Sequence, residues 1–202
     1  MWVAKIGGSL SQQVTLAPWL AALAGDPGRR WLCVPGGGPY ADAVRAAQQR
    51  EGFSDAEAHV RAMLAMARYG ADLQRLEPRL QGCVSIAACA APGGGWPRLW
   101  CPAAADAAVL AELPADWRVS ADSLAHALAT HLKATGLVLL KSVPPPPAAT
   151  AAALAAAGYV DAWLPTLMQA SPLPVYWAVA ADLPPLALTP SLWPPAAQRV
   201  PD

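Results

Sequence analysis

Residues 2–9 read Trp2-Val3-Ala4-Lys5-Ile6-Gly7-Gly8-Ser9, a short apolar run that ends in two glycines. Residues 31–38 read Trp31-Leu32-Cys33-Val34-Pro35-Gly36-Gly37-Gly38 and repeat that form. Continuous apolar runs of this length are typical of strands that are buried on both faces of a parallel sheet. Because glycine permits positive φ and has no Cβ, such turns leave backbone N–H groups open to a ligand. With a helix N-terminus these groups form an anion site, so the two turns predict phosphate binding.

Apolar runs alternate with segments of helical spacing along the rest of the chain. This alternation predicts an α/β protein, a three-layer α/β/α sandwich with a largely parallel central sheet. We expect a single domain over residues 1–202, with a Pro-rich tail from about residue 184 that wraps the surface. The predicted strands are 2–6, 30–34, 83–90, 99–101, 137–140 and, as the last one, 175–179. The predicted helices are 16–24, 40–49, one from Ser54, 106–113, one from Ser120 or Asp122, and 149–157.

The helix that begins after Ser54 has a clear start signal. Ser54 is followed three residues later by Glu57, which is the pattern of a capping box. We expect its buried face to carry Val60, Leu64, Ala67 and Ala71, which follow the helical period.

Charge and composition exclude several classes of partner. Lys and Arg together number 14, as do Asp and Glu, so the formal net charge is zero and gives no reason to expect nucleic acid or an anionic membrane. No apolar run approaches the roughly 18 residues that span a bilayer. Lys5 and Gly7-Gly8 interrupt any signal-like start, so we expect a cytoplasmic protein. The four cysteines form no C-x-x-C pair and predict buried reduced thiols, with no metal site.

Two other nucleotide-binding patterns are poorly matched. Gly36-x-Gly38-x-x-Ala41 has the G-x-G-x-x-A form of a dinucleotide fingerprint. That fingerprint needs an acidic residue about 20 positions later, at the end of a strand. Asp55 and Glu57 stand at that distance, in a helical segment. No G-K-[ST] sequence is present, so a Walker A loop is also excluded.

The order and spacing of three motifs resemble the amino acid kinase superfamily. The motifs are Lys5–Ser9, Pro35–Gly38, and Ser120-Ala121-Asp122-Ser123, which leads a helix into the strand Leu137–Leu140. Within that superfamily, segments 34–42, 58–66 and 139–143 look most like the aminomethylfuran phosphate kinase of methanofuran-type cofactor biosynthesis. The resemblance implies a homo-oligomeric, ATP- and Mg²⁺-dependent kinase of one-carbon metabolism. It would transfer a γ-phosphoryl group to a small acceptor that already carries a phosphate.

The resemblance also implies a role for individual residues. Lys5 would contact the transferring phosphoryl group, and Asp122 would orient the lysines without acting as a general base. Gly7, Gly8, Ser9, Lys141 and Ser142 would bind the nucleotide, and Gly36, Gly37, Gly38, Tyr40 and His59 would bind the acceptor. From the residues alone, the alternatives are that Lys5 is an ordinary strand lysine and that Asp122 is a first-turn helix carboxylate. For His59 the residues favour a structural role, with contact to the acceptor as the alternative, and we expect His126 and His131 at the surface.

Two departures from the superfamily pattern keep alternatives open. Many members have a second catalytic lysine beyond the strand that ends at Leu140, but residues 148–170 contain no lysine. Pro144–Pro147 replaces the usual acidic dipeptide. Either Lys141 or an arginine substitutes for the missing lysine, or the activity is weak. The alternatives are a kinase for another small phosphate or carboxylate acceptor, and a catalytically weak nucleotide-binding or structural subunit. Arg45, Arg61 and Arg68 would form a solvated face or bind an acceptor phosphate.

Overall fold

A seven-stranded sheet forms the centre of the computed structural model, which describes residues 1–147, 149–182 and 198–201. Its strands are β1 (Trp2–Ile6), β2 (Trp31–Pro35), β3 (Gln81–Cys83), β4 (Arg98–Trp100), β5 (Leu137–Lys141), β6 (Val175–Val179) and β7 (Gln198–Arg199). They lie in the order β3-β4-β2-β1-β5-β6-β7. The first six are parallel to their neighbours, and β7 pairs antiparallel with β6. The predicted largely parallel sheet is confirmed.

Helices cover both faces of this sheet. They are α1 (Leu16–Ala24), α2 (Gly38–Glu51), α3 (Asp55–Leu76), α4 (Ile86–Ala90), α5 (Asp106–Val109), α6 (Ala121–His131), α7 (Ala151–Ala156) and α8 (Leu164–Ala170), and a 3₁₀ turn spans Gly8–Leu10. Successive strand residues point to opposite faces. Val3 and Leu139 therefore join one apolar cluster, while Ala4 and Val138 join the other. This arrangement is the predicted α/β/α sandwich.

The strand order brings the two motif-bearing strands together at the centre. β1 lies between β2 and β5, with Lys5 level with Val34 on one side and with Leu139 on the other. All three strands run in the same direction, so their C-terminal ends share one edge of the sheet. That edge is where open parallel sheets bind their ligands.

The predicted strand at 83–90 is wrong. β3 ends at Cys83, and α4 follows almost at once. The Ser85 hydroxyl accepts a hydrogen bond from Ala88 N at 3.1 Å, which caps that helix. A serine in mid-run therefore breaks the apolar stretch and turns its second half into a helix.

The long helix α3 begins as predicted, with Ser54 Oγ accepting from Glu57 N at 3.2 Å. Its predicted buried face is wrong, because Leu64 is 45% exposed. The buried side chains follow a different row of the same helix: Ala58, Met63, Met66, Tyr69 and Leu73. Alanines on both rows make the two faces hard to distinguish by spacing, and the larger Met and Tyr side chains determine which one packs against the sheet.

Several other predicted elements differ from the structure in their bounds. The predicted helices 106–113 and 149–157 are shorter in the structure, and α8 was not predicted. β6 has the predicted bounds but is followed by β7. The predicted Pro-rich tail lies outside the described residues except at 198–201. Of the helices in the described ranges, none is long and apolar enough to cross a membrane.

Candidate active site

The two glycine-rich turns pack directly against each other. A Cβ on Gly8 would lie 2.4 Å from Gly38 N, and a Cβ on Gly36 would lie 2.6 Å from Gly8 N. Real Cβ atoms do not approach backbone nitrogen so closely, so both positions need glycine. Gly38 also has φ +53°, in the left-handed region that favours glycine. These glycines thus allow contact between the turns, in addition to the ligand access inferred from sequence.

Only some of the backbone N–H groups in the turns are available to a ligand. Gly7 N donates to Leu140 O at 3.0 Å, and Gly36 N donates to Ile6 O at 2.8 Å, so both extend the sheet. Gly8 and Ser9 begin the 3₁₀ turn, and Gly38 begins α2. The first N–H groups of a helix have no partner within it. The N–H groups at these three positions are therefore the ones that the helices themselves leave unpaired.

One carboxylate holds two lysines at the edge of the sheet. Lys5 Nζ lies 2.9 Å from Asp122 Oδ1, and Lys141 Nζ donates to Asp122 Oδ2 at 2.7 Å. Lys5 comes from β1, Lys141 ends β5, and Asp122 lies in the first turn of α6. Lys5 and Asp122 are only 6% and 3% exposed. The structure therefore brings these three predicted residues together.

Burial and mutual attraction set the charges of this triad. Burial alone would raise the pKa of Asp122, but the ammonium groups of Lys5 and Lys141 lower it to about 2. For Lys141, burial and the nearby charge of Lys5 lower the pKa to about 8, although Asp122 opposes the change. At neutral pH the Asp122 carboxylate is ionised and lies between two cations.

Lys141 has two further contacts that fix its position. Its ammonium also donates to the carbonyl of Tyr159 at 2.7 Å, and it lies 5.4 Å from the centre of the Trp177 ring. The Trp177 ring is itself oriented by a hydrogen bond from Nε1 to Val143 O at 3.0 Å. A lysine ammonium has three donors. Among the described residues two of these donors are used, which leaves the third without a protein partner there.

A residue that sequence reasoning missed holds the start of α6. The Asp161 carboxylate accepts hydrogen bonds from Ser120 and Ser123, which flank Asp122. It also accepts from the backbone N–H groups of Trp163 and Leu164, at 3.1 and 3.0 Å. The one available signal was local, since an aspartate three residues before Leu164 is a typical helix-start pattern.

A cavity of about 440 Å³ opens on the α2 and α3 side of Lys5. Its lining includes Gly36, Gly37 and Gly38, together with Arg45 and His59. The remaining walls are mostly apolar and include Ala62, Met63, Met66, Trp117, Val119, Ala121 and Leu124. This is the side that sequence analysis predicted for the acceptor.

A second cavity, of about 540 Å³, opens on the other side of Lys5. Its polar lining includes Lys141 and Ser142, and Ser142 Oγ accepts from Ser9 Oγ at 3.1 Å. The rest of the lining includes Gly7, Gly8, Gly158, Tyr159 and Trp177. Lys5, Gly8 and Ser9 line both cavities, so the two spaces meet at the turn that follows β1.

The predicted acceptor ligands are not all in one place. His59 lines the first cavity, and burial lowers its pKa. Tyr40 lines neither described cavity, because its hydroxyl donates to Asp72 Oδ2 at 2.8 Å and its ring packs against an apolar cluster. The structure therefore does not place Tyr40 beside the first cavity.

The arginines and the remaining histidines also lie in different parts of the structure. Arg45 reaches the first cavity with its guanidinium 4.2 Å from the centre of the Trp117 ring. Arg61 pairs instead with Glu57 at 2.6 Å on the exposed surface. The expectation of a surface position is wrong for His126, which is 1% exposed and whose pKa burial lowers to about 4. His131 is exposed as expected.

The donor set does not offer a protein cage for a metal ion. Within residues 1–147, 149–182 and 198–201, no group of three or more His, Cys, Asp or Glu could hold one. The Asp122 carboxylate is already bound to two lysines.

Comparisons with solved structures identify proteins of the same fold. Uridylate kinase from Archaeoglobus fulgidus superposes with a TM-score of 0.63 at 15% identity over 88% of this chain and 90% of its own. UMP kinase from Ureaplasma parvum gives 0.63 at 12% identity over 100% and 98%. Aspartate kinase from Synechocystis gives 0.62 at 15% identity over 93% of this chain, which spans 41% of that enzyme.

Sequence comparison adds no relative. No family model matches the chain, and no curated protein matches it. Identities of 11–15% establish the architecture alone. The chain has the α/β fold of the uridylate and aspartate kinases to which it is similar.

Proposed function

We propose that this protein is an ATP-dependent kinase that transfers the γ-phosphoryl group to a small acceptor. One observation carries the proposal: two cavities meet at Lys5, and the carboxylate that holds Lys5 also holds Lys141. A two-substrate transfer needs two binding spaces that meet at the reacting atoms. It also needs positive charge at that meeting point, because the phosphoryl oxygens carry negative charge throughout.

In the proposed reaction an acceptor oxygen attacks the γ-phosphorus of ATP. A bond forms between these atoms, the bond from the γ-phosphorus to the β,γ-bridging oxygen breaks, and ADP leaves. Lys5 lies between the two spaces and would contact the transferring group, while Lys141 would contact the nucleotide phosphates. Both lysines would stabilise charge in a site that is already organised. Mg²⁺ would enter as part of the ATP complex.

Lys141 would supply the positive charge of the second catalytic lysine, since residues 148–170 contain no lysine. Its ammonium lies at the same carboxylate as that of Lys5, and its third donor is available to a ligand. Asp122 would organise the pair of lysines and would not remove a proton. Its carboxylate, whose pKa is lowered to about 2, is too weak a base for that task near neutral pH.

For the acceptor we propose a phosphate monoester with an apolar body, and aminomethylfuran phosphate as the leading example. Besides Gly36–Gly38, the lining of the first cavity includes Met63, Met66 and Leu124, whose apolar side chains suit a small ring. Arg45 also lines this cavity, and its guanidinium would bind the acceptor phosphate. A product with a diphosphate group would then result.

The test is acceptor-dependent formation of ADP from MgATP. The panel would contain aminomethylfuran phosphate, UMP, isopentenyl phosphate, aspartate and acetylglutamate, which separates the proposed acceptor from other phosphate and carboxylate acceptors. ATP binding detected by thermal shift, without transfer to any member of the panel, would favour the weak nucleotide-binding subunit. Neither binding nor transfer, with the protein shown to be folded, would overturn the kinase proposal.

A further inference from the structure

We propose that Asp161 is a positioning residue that sets the geometry of the lysine pair from outside the site. This inference rests on the proposed function, since it concerns the same triad. Asp161 is half-buried and touches neither lysine by hydrogen bond in the described contacts. It acts through two segments of the chain, one that contains Asp122 and one that contains Tyr159.

The first of these segments is the N-terminal turn of α6. Asp161 Oδ2 accepts from Ser120 N, Ser120 Oγ and Ser123 N, each at 2.9 Å. Asp161 Oδ1 accepts from Ser123 Oγ at 2.5 Å. These two serines stand on either side of Asp122, so the carboxylate holds the turn from which Asp122 reaches both lysines.

The second segment is the chain from Tyr159 to Leu164. Asp161 Oδ1 also accepts from Trp163 N at 3.1 Å and from Leu164 N at 3.0 Å, which fixes the start of α8. Two residues before Asp161, the Tyr159 carbonyl accepts from Lys141 Nζ. Both partners of the Lys141 ammonium, the Asp122 carboxylate and the Tyr159 carbonyl, are therefore carried by segments that Asp161 joins.

The six hydrogen bonds of Asp161 are more than the fold of one helix start requires. One side-chain oxygen normally caps a helix by accepting from one or two N–H groups. Asp161 instead accepts from two helix starts, those of α6 at Ala121 and α8 at Leu164, which lie far apart in sequence. Its removal should let α6 move relative to β5 and separate Asp122 from Lys141. A displacement of about 1 Å at a reacting group can cost about 10²-fold in rate.

The matched control is Asp106, another buried carboxylate that joins separate segments. It accepts from Ile86 N at 3.2 Å, Trp100 Nε1 at 3.0 Å and Ala103 N at 3.2 Å, and it lines neither cavity that meets at Lys5. Asp106→Asn and Asp161→Asn both replace an acceptor oxygen with a donor. Asp106→Asn therefore reports what the loss of a structural carboxylate does to the protein in general.

The primary test reads Lys141 directly and needs no turnover. The chain contains three lysines, Lys5, Lys133 and Lys141, so a protein labelled with [ε-¹³C]lysine gives three resonances that Lys→Arg substitutions assign. In the wild type the Lys141 resonance should titrate near pH 8. In Asp161→Asn that midpoint should move to lower pH, because the ammonium loses its well-placed anionic partners Asp122 and, at longer range, Asp161. The exposed Lys133 serves as the internal reference.

Turnover gives the second readout. We expect kcat of Asp161→Asn to fall by about 10²-fold with little change in the KM for ATP, and kcat of Asp106→Asn to stay within about two-fold of the wild type. If Asp161→Asn does not fold, Ser123→Ala removes one of the six hydrogen bonds and keeps the charge. It should lower kcat several-fold and shift the Lys141 midpoint in the same direction.

The outcomes distinguish the two proposals. If the wild type shows no phosphoryl transfer, the proposed function fails, while the Lys141 titration still decides the role of Asp161. If the Lys141 midpoint of Asp161→Asn, or of Ser123→Ala in its place, matches that of Asp106→Asn, Asp161 is only a structural cap and the inference is overturned. Loss of the Asp161 charge alone would also lower the midpoint in Asp161→Asn, so a midpoint that moves in Ser123→Ala, which keeps that charge, and not in Asp106→Asn establishes the positioning role.

Discussion

Lys141 Nζ donates a hydrogen bond to Asp122 Oδ2 at 2.7 Å, which joins the end of β5 to the first turn of α6. The other oxygen of the same carboxylate lies 2.9 Å from Lys5 Nζ on β1. One anion thus separates two buried cations that would otherwise repel each other. Groups connected in this way act as a unit, so we expect the effects of substituting them to be non-additive.

Loss of Lys5 should abolish turnover and leave the fold intact. Its ammonium would neutralise charge that grows in the transition state, so Lys5→Ala should reduce kcat on the order of 10²-fold or more. Single-turnover phosphoryl transfer measures the loss, and circular dichroism checks the fold. Lys133→Ala removes an exposed lysine and is the control. A wild-type rate for Lys5→Ala would remove Lys5 from the mechanism.

Loss of the Asp122 charge should destabilise the protein. Asp122→Asn leaves the ammonium groups of the buried Lys5 and the half-buried Lys141 without their anion, and breaking a buried ion pair in this way typically costs about 3–5 kcal/mol in the free energy of unfolding. Urea unfolding at pH 7 would measure this. A cost below about 1 kcal/mol would mean that the lysines find other partners.

The same contact predicts how the wild type responds to acid. The pKa of Asp122 is lowered from 3.8 to about 2 in the folded protein, so its contribution to stability is complete above about pH 4. That contribution should be lost as the pH falls from 4 through 2, because the unfolded state binds a proton first. The dependence of the unfolding free energy on pH in this window should be shallower in Asp122→Asn, and equal slopes would contradict the assignment.

Lys141 should set the alkaline limit of activity. Its pKa of about 8 means that it loses its charge as the pH rises through that value, so kcat/KM for ATP should fall there. Lys141→Arg should remove this limb, since arginine stays protonated.

Asp122 should contribute no general-base limb, which would appear as a fall in rate toward low pH, because an acceptor phosphate with a second pKa of about 6 needs no proton removed near neutral pH. Rate profiles of wild type, Lys141→Arg and Asp122→Asn over the full pH range separate the two roles. A limb that survives Lys141→Arg and disappears only in Asp122→Asn would establish proton abstraction. The acceptor would then be a hydroxyl compound.

The contact between the glycine turns should tolerate no side chain. Gly8→Ala places a Cβ 2.4 Å from Gly38 N and should push the turns apart, with weaker binding at both cavities and a lower melting temperature. Gly70→Ala is the control, because its Cβ would meet side chains no closer than 3.5 Å and alanine favours the helix it occupies. Calorimetry of both variants, with and without MgATP, measures the difference. Equal melting temperatures would show that the turns are not tightly packed.

The layered fold could be predicted because buried strands and helices have different apolar spacing. β1, α1 and β6 have the bounds expected from that spacing. The structure of residues 83–90 could not be predicted from that spacing, because a single serine cap at Ser85 decides between strand and helix. The buried side of α3 depends on which neighbours pack against it, and those neighbours are distant in sequence.

The lysines and Asp122 could be named from motifs, but their contact could not. Lys141 reaches Asp122 only because β5 lies beside β1, and apolar spacing does not reveal the order of strands. Asp161 remained unnoticed for a similar reason, since most of its hydrogen bonds come from residues about 40 positions earlier. Tyr40 stood next to a motif and yet points toward Asp72, away from the cavity.

The most direct test of the account is ³¹P NMR of the reaction mixture. The wild type with MgATP and aminomethylfuran phosphate should convert the monoester signal into a pair of diphosphate signals and form ADP in equal amount. Lys5→Ala should give neither product over the same time. ATP that remains intact in the presence of every acceptor of the panel, with the wild-type protein shown to be folded, would contradict the claim that the two cavities meeting at Lys5 form a site of phosphoryl transfer.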